Sequence, residues 1–102
     1  MTRPMLPRRY IRRPVSMSVQ CRTHTGMRDR GVISDISIEG CCIRPRSLFF
    51  KVGTRVMIRP EGMEVLTGVV RWNKDDVAGI EFDRPMYGPV VDYLVLRHGP
   101  EA

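Results

Sequence analysis

Val15-Ser16-Met17-Ser18-Val19-Gln20-Cys21-Arg22 alternates apolar and polar side chains without a break. Successive residues of an extended chain point to opposite faces, so this period of two marks a strand with one face in a core and the other in water. Thr23–Met27, with Gly26, reads as a turn, and Asp29–Ser37 as the returning strand, with Val32 and Ile36 on one face and Ile33, Asp35 and Ser37 on the other. Gly40 ends a short turn. Cys41–Arg44 is a brief third strand stopped by Pro45, which has no N–H to give to a ladder. Thr54–Arg59 alternates again, Pro60-Glu61-Gly62 turns, Val65–Trp72 is the longest strand, and a polar hairpin turn at Asn73–Asp76 leads into Val77–Phe82. Six short strands punctuated in this way predict an all-β fold, a small antiparallel β-barrel.

The two ends differ from this body. Gly88-Pro89 opens a short helix, in which Val90, Val91, Leu94 and Val95 recur at helical spacing until Gly99-Pro100, and which is expected to cap one end of the barrel. Residues 1–14 carry Pro4, Pro7 and Pro14 among five arginines and few core candidates. Such a segment buries too little to offset its ordering entropy, which predicts an arm that is mobile without ligand, followed by a barrel and helix over residues 15–98.

A chain of 102 residues has room for one domain, and no run approaches the length of a membrane span or the apolar core of a secretory signal. The expectation is a soluble, cytoplasmic protein. The net charge of +6 sits at one end: residues 1–28 hold seven arginines and no acid, whereas the remainder holds ten basic residues against eleven acidic ones. Cys21, Cys41 and Cys42 give neither a disulfide framework nor a metal clip and are expected to be reduced, small apolar groups. His24 and His98 have no partner at ligand spacing, and no phosphate-binding glycine loop, nucleophile elbow or paired catalytic acids occur. These features argue against an enzyme and against a metal or cofactor.

Two clusters carry chemistry. In Arg8-Arg9-Tyr10-Ile11-Arg12-Arg13, four guanidiniums repel one another unless an anion lies between them; they can fork onto phosphates, donate to guanine O6 and N7, or stack on its face. Taken alone, the cluster reads equally as a solvated arm with weak affinity for any polyanion. In Asp35-Ile36-Ser37-Ile38-Glu39-Gly40, a carboxylate and a hydroxyl two residues apart leave one strand face together, and Gly40 gives a clearance or conformation that a Cβ would forbid. Alone, this is also how a plain turn ends a strand. Together, one cluster offers donors to phosphate and the Hoogsteen edge, the other an acceptor for the Watson–Crick edge, which describes a guanine-nucleotide site.

The chain resembles the PilZ domain family, whose signature is an Arg-x-x-x-Arg arm followed by Asp/Asn-x-Ser-x-x-Gly. Here these are Arg8/Arg12 or Arg9/Arg13, then Asp35, Ser37 and Gly40. The likeness continues through Trp72, the strand Ala78-Gly79-Ile80-Glu81-Phe82 and the C-terminal helix. It implies binding of cyclic di-GMP, with the arginines gripping guanine and phosphate and with Asp35 and Ser37 meeting guanine beside Gly40. Aligned on Pro14-Val15, the motif arginines are Arg8 and Arg12, with Arg9 as an extra; aligned as Arg-Arg-x-x-x-Arg, they are Arg8, Arg9 and Arg13. The resemblance further implies a bacterial second-messenger receptor; the two phosphates of the ligand are expected to relieve the repulsion among Arg8, Arg9, Arg12 and Arg13 and order the arm on the barrel, with the signal passing to a separate partner protein. Two alternatives remain open: a PilZ-like interaction module without nucleotide binding, and a nucleic-acid-binding barrel using the basic arm. The second is disfavoured because only Trp72 and Phe82 are aromatic in the expected strands.

Overall fold

In the computed structural model, which describes residues 11–100, six strands and one helix follow one another as β1 (Arg13–Thr23), β2 (Arg28–Ile36), β3 (Gly40–Pro45), β4 (Arg55–Pro60), β5 (Leu66–Lys74), β6 (Val77–Phe82) and α1 (Gly88–His98). All neighbouring strands are antiparallel, and the ladder closes in the order β1-β2-β3-β6-β5-β4. The expected barrel is therefore present. Arg8 and Arg9, and with them most of the expected arm, lie outside the described residues. β1 begins at Arg13, so Arg13 and Pro14, expected in the arm, already belong to the sheet, with Arg13 opposite Ile36 and Pro14 opposite Asp35.

The alternation in β1 is realised as expected: Val15, Met17, Val19 and Cys21 point inward and their polar neighbours outward. In the interior they join Ile33, Ile43, Ile58 and Ile80, all essentially inaccessible to water. At about 1.5–3 kcal/mol for each such side chain, this interior is the main source of stability.

One facing assignment differs from the sequence pattern. Ile33 and Ile36 are both fully buried, whereas Val32 is 39% exposed. The cause is a bulge in β2: Ile33 pairs with Ile43 and Asp35 with Cys42, leaving Ser34 as an extra residue. Two consecutive residues, Ser34 and Asp35, thus stay off the core, and the inward phase resumes at Ile36. A second bulge in β5 places Arg71 between the pairs Val70–Ile80 and Trp72–Gly79.

α1 starts after Tyr87 with a proline in its first turn and ends at Gly99, whose N–H donates to the Val95 carbonyl at 2.8 Å. Val91 and Leu94 enter the core cluster, so the helix covers one end of the barrel as the sequence led one to expect. The Met86 N–H bonds to the Ile38 carbonyl, and Arg13 forms an ion pair with Asp92, which ties the helix to the start of β1.

Candidate functional site

The two bulges build one surface. Cys41, Ile43, Ala78 and Ile80 belong to the core, so Gly40, Cys42, Gly79 and Glu81, which alternate with them, face outward. The register sets Cys42 beside Asp35 on one side and Gly79 on the other, with Trp72 next to Gly79. Without the bulges, Asp35 and Trp72 would take the phase of Ile33 and Val70 and point into the core. With them, a carboxylate and an indole stand on either side of a floor made of two glycines and a cysteine.

Arg12 folds over this floor. Its Nη1 donates to Asp35 Oδ1 at 2.8 Å and lies 3.2 Å from Cys42 Sγ. Partial burial opposes its charge, but the hydrogen bond and field of Asp35, with the thiols below, outweigh that and raise its already high pKa. The Cys42 thiol is pushed up to about 11, first by burial and then by Asp35, so at neutral pH it stays protonated. On the opposite rim, Arg71 donates to Glu81 Oε1 from Nε at 3.0 Å and from Nη2 at 2.7 Å. The indole of Trp72 rests on Gly79 so closely that a Cβ there would come 2.1 Å from Nε1. Between these walls lies a pocket of about 260 Å³, with Arg12, Gly40, Trp72 and Glu81 around it.

Ser37 lines the same pocket, but not as a side-by-side partner of Asp35 on a strand. β2 ends at Ile36, and Ser37 sits in the β2–β3 turn, 4% exposed. Its Oγ accepts the N–H groups of Glu39 (3.2 Å) and Gly40 (3.3 Å), while its own N–H donates to the Gly40 carbonyl at 2.9 Å. The hydroxyl thus shapes the turn that presents the floor. Gly40 is required for clearance: a Cβ would stand 2.1 Å from the Ile80 carbonyl oxygen.

Of the residues expected to bind ligand, Arg12, Ser37 and Gly40 line this pocket, and Asp35 stands beside it, bonded to Arg12. Arg13 instead turns to Asp92 of α1, and Arg8 and Arg9 lie outside the described residues. The pair Arg71–Glu81 was not anticipated. Its only signal in the sequence was its position on the two strands that also carry Trp72 and Gly79. Among the described residues no group of His, Cys, Asp and Glu could hold a metal ion, and no helix is long and apolar enough to cross a membrane.

These features define a small closed barrel whose outer face carries a shallow pocket with Arg12 in its lining. The model of the PilZ domain matches residues 7–89, and the chain belongs to that family, a family of cyclic di-GMP-binding domains. A crystal structure of the PilZ domain of CeSA from a cellulose-synthesizing bacterium shares the fold, with a TM-score of 0.61 at 20% identity, covering 85% of this chain and 92% of that one. No curated protein matches the chain in sequence.

Proposed function

We propose that this protein is a non-enzymatic receptor for cyclic di-GMP that signals to a separate partner protein. The observation that carries the reading is the Arg12–Asp35 pair poised at the edge of the Gly40/Cys42/Gly79 floor, facing Trp72. A guanine laid on that floor has the indole at one edge, the Asp35 carboxylate as acceptor for its N1–H and N2–H, and Arg12 as donor to its Hoogsteen edge or to a phosphate.

Energetics favour opening the pair for a ligand. Arg12 and Asp35 have side chains 45% and 28% exposed, and an ion pair of that kind contributes at most about 1 kcal/mol. Each charge-assisted bond to a phosphate or guanine contributes about 1.5–3 kcal/mol, so exchanging one for the other is downhill. The pocket of about 260 Å³ suits one base, not a dinucleotide. Arg8 and Arg9 are therefore assigned to the remaining phosphate and guanine, and binding orders the arm over the pocket. Arg13, next in sequence to Arg12, holds α1 through Asp92. Ordering the arm thus bears on a helix that exposes Tyr93 and Leu96, side chains suited to a partner's surface.

Titration calorimetry against cyclic di-GMP, with GTP and cyclic AMP as comparators, tests the reading. Selective heat with cyclic di-GMP is expected, with affinity at least tenfold lower, about 1.4 kcal/mol, in Arg12→Ala and in Asp35→Ala. No cyclic di-GMP binding by the folded protein, or equal affinity for all three nucleotides, would overturn it.

A further inference from the structure

A groove of about 870 Å³ lies away from this pocket, across the outer face of β1, β2 and β4. Five arginines line it: Arg22, Arg28, Arg30, Arg46 and Arg59. The register explains the clustering. Gln20 of β1 pairs with Arg30 on one side and Arg59 on the other, so these three form a rung across three strands; Arg22 pairs with Arg28 one rung further. Arg46 joins the first rung through its N–H bond to the Arg30 carbonyl at 2.8 Å. With strands about 4.8 Å apart and rungs about 7 Å apart, the guanidiniums form a grid of fixed positive charge.

Among the described residues no ion pair engages this grid. The ion pairs among the described residues are Arg12–Asp35, Arg13–Asp92, Arg55–Asp83 and Arg71–Glu81, none of which involves a groove arginine. The one carboxylate in the groove, Asp29, is turned to the β3–β4 loop, where its Oδ2 accepts the N–H groups of Ser47 (2.8 Å) and Leu48 (2.9 Å). Glu61 and Glu64 stand beyond Arg59 in the β4–β5 turn and pair with none of the five. Five like charges within a sheet face repel one another, and a ligand carrying regularly spaced negative charge relieves that repulsion.

We infer that this groove is a second binding site, separate from the Arg12–Asp35 pocket, for the phosphate backbone of a nucleic-acid duplex. Arginine at every basic groove position suits phosphate, which its planar fork grips with two parallel bonds. The groove has no aromatic side chain, so it offers no platform for unstacked bases, which single strands require; its apolar content is limited to Cys21, Met57 and Val65, too little for the apolar centre of a protein interface. Recognition is through phosphates alone and independent of base sequence. The inference stands whether or not the chain binds cyclic di-GMP.

Fluorescence anisotropy of the whole protein with a labelled, mixed-sequence DNA duplex of about 20 base pairs gives the test. If all five arginines meet phosphates, affinity falls about 500-fold between about 50 and 200 mM salt. The double substitution Arg30→Glu/Arg59→Glu should lower affinity at low salt at least tenfold and flatten the log–log salt slope by about two. Circular dichroism should leave it folded, because both side chains are exposed. Arg30→Gln/Arg59→Gln should give the same flattening without charge reversal. The single strand of the same length should bind more weakly than the duplex. Duplex binding unchanged by both double variants, abolished instead by Arg8→Gln/Arg9→Gln/Arg12→Gln, or weaker than binding to phosphatidylglycerol vesicles would overturn the assignment.

Discussion

Replacing Gly40 by alanine places a methyl carbon 2.1 Å from the carbonyl oxygen of Ile80, 3.2 Å from its carbonyl carbon and 3.3 Å from Glu81 Cα. All three neighbours are main chain of β6, so no rotamer change relieves the contact, and the strand must retreat by about 1.3 Å to reach ordinary van der Waals distance. That movement opens the β3–β6 seam at the Gly40–Glu81 pair. It also strains the bond from the Phe82 N–H to the Glu39 carbonyl and that from the Ser37 N–H to Gly40, both 2.9 Å. Weakening two backbone bonds at about 0.5–1.5 kcal/mol each, with about 1–3 kcal/mol for overpacking, gives a destabilisation of about 2–6 kcal/mol. For a domain of this size the midpoint of thermal unfolding falls by about 10–50 °C. Urea denaturation read by circular dichroism measures it, with Gly88→Ala as control, since a Cβ at Gly88 meets nothing within 4 Å. A Gly40→Ala protein as stable as the control, with cyclic di-GMP affinity reduced, would refute the reasoning. The glycine would then serve the ligand and not the seam.

Three further outcomes follow from side chains around the two surfaces. Gly79→Ala forces the Trp72 indole off its seat, since the clash is with a side chain able to swing; the emission of this single tryptophan should shift, and cyclic di-GMP affinity fall, with less loss of stability than Gly40→Ala. Asp29→Ala leaves the Ser47 and Leu48 N–H groups without their acceptor and should destabilise by about 1–2 kcal/mol at neutral pH. Burial works against the Asp29 charge, but the backbone donors prevail and depress its pKa in the folded state. Its contribution is therefore present above the ordinary carboxylate value of about 3.9 and lost as pH falls through the folded value, so urea midpoints of wild type and variant should converge below about pH 4. Burial holds the Cys21 thiol up at about 12 and Cys42 at about 11, and raises Cys41 further. Iodoacetamide at pH 8 should leave all three unmodified, as read by mass spectrometry, until urea unfolds the barrel.

The strands were legible because a period of two survives in β1, β4 and β6, and the helix because Gly88-Pro89 and Gly99-Pro100 bracket an apolar repeat. What the pattern hid was the phase after each bulge. Nothing in Ile33-Ser34-Asp35-Ile36 shows that Ser34 is supernumerary; that is fixed by which residue of β3 lies opposite, a long-range fact. The same holds for Arg71, and with it for the outward face of Trp72 and the pairing with Glu81. The site was therefore legible as a set of residue types, Arg12 with Asp35, and illegible as a surface. Ser37 shows the limit of spacing arguments: two residues from Asp35 in sequence, its hydroxyl is nonetheless engaged by the turn. The groove arginines escaped notice because each is unremarkable in its own strand and they meet only across the register.

Because the ladder returns to its starting strand, with β1 bonded to β2 along one side and to β4 from Val19 to Thr23 along the other, the sheet gives a visiting peptide little main chain to extend. A protein partner would have to recognise its shape through side chains and loops, among which Phe49, Tyr87 and Leu96 are the most exposed large apolar ones of the described residues. Partner choice can then be rewritten at solvent-facing positions while the barrel that holds them stays intact.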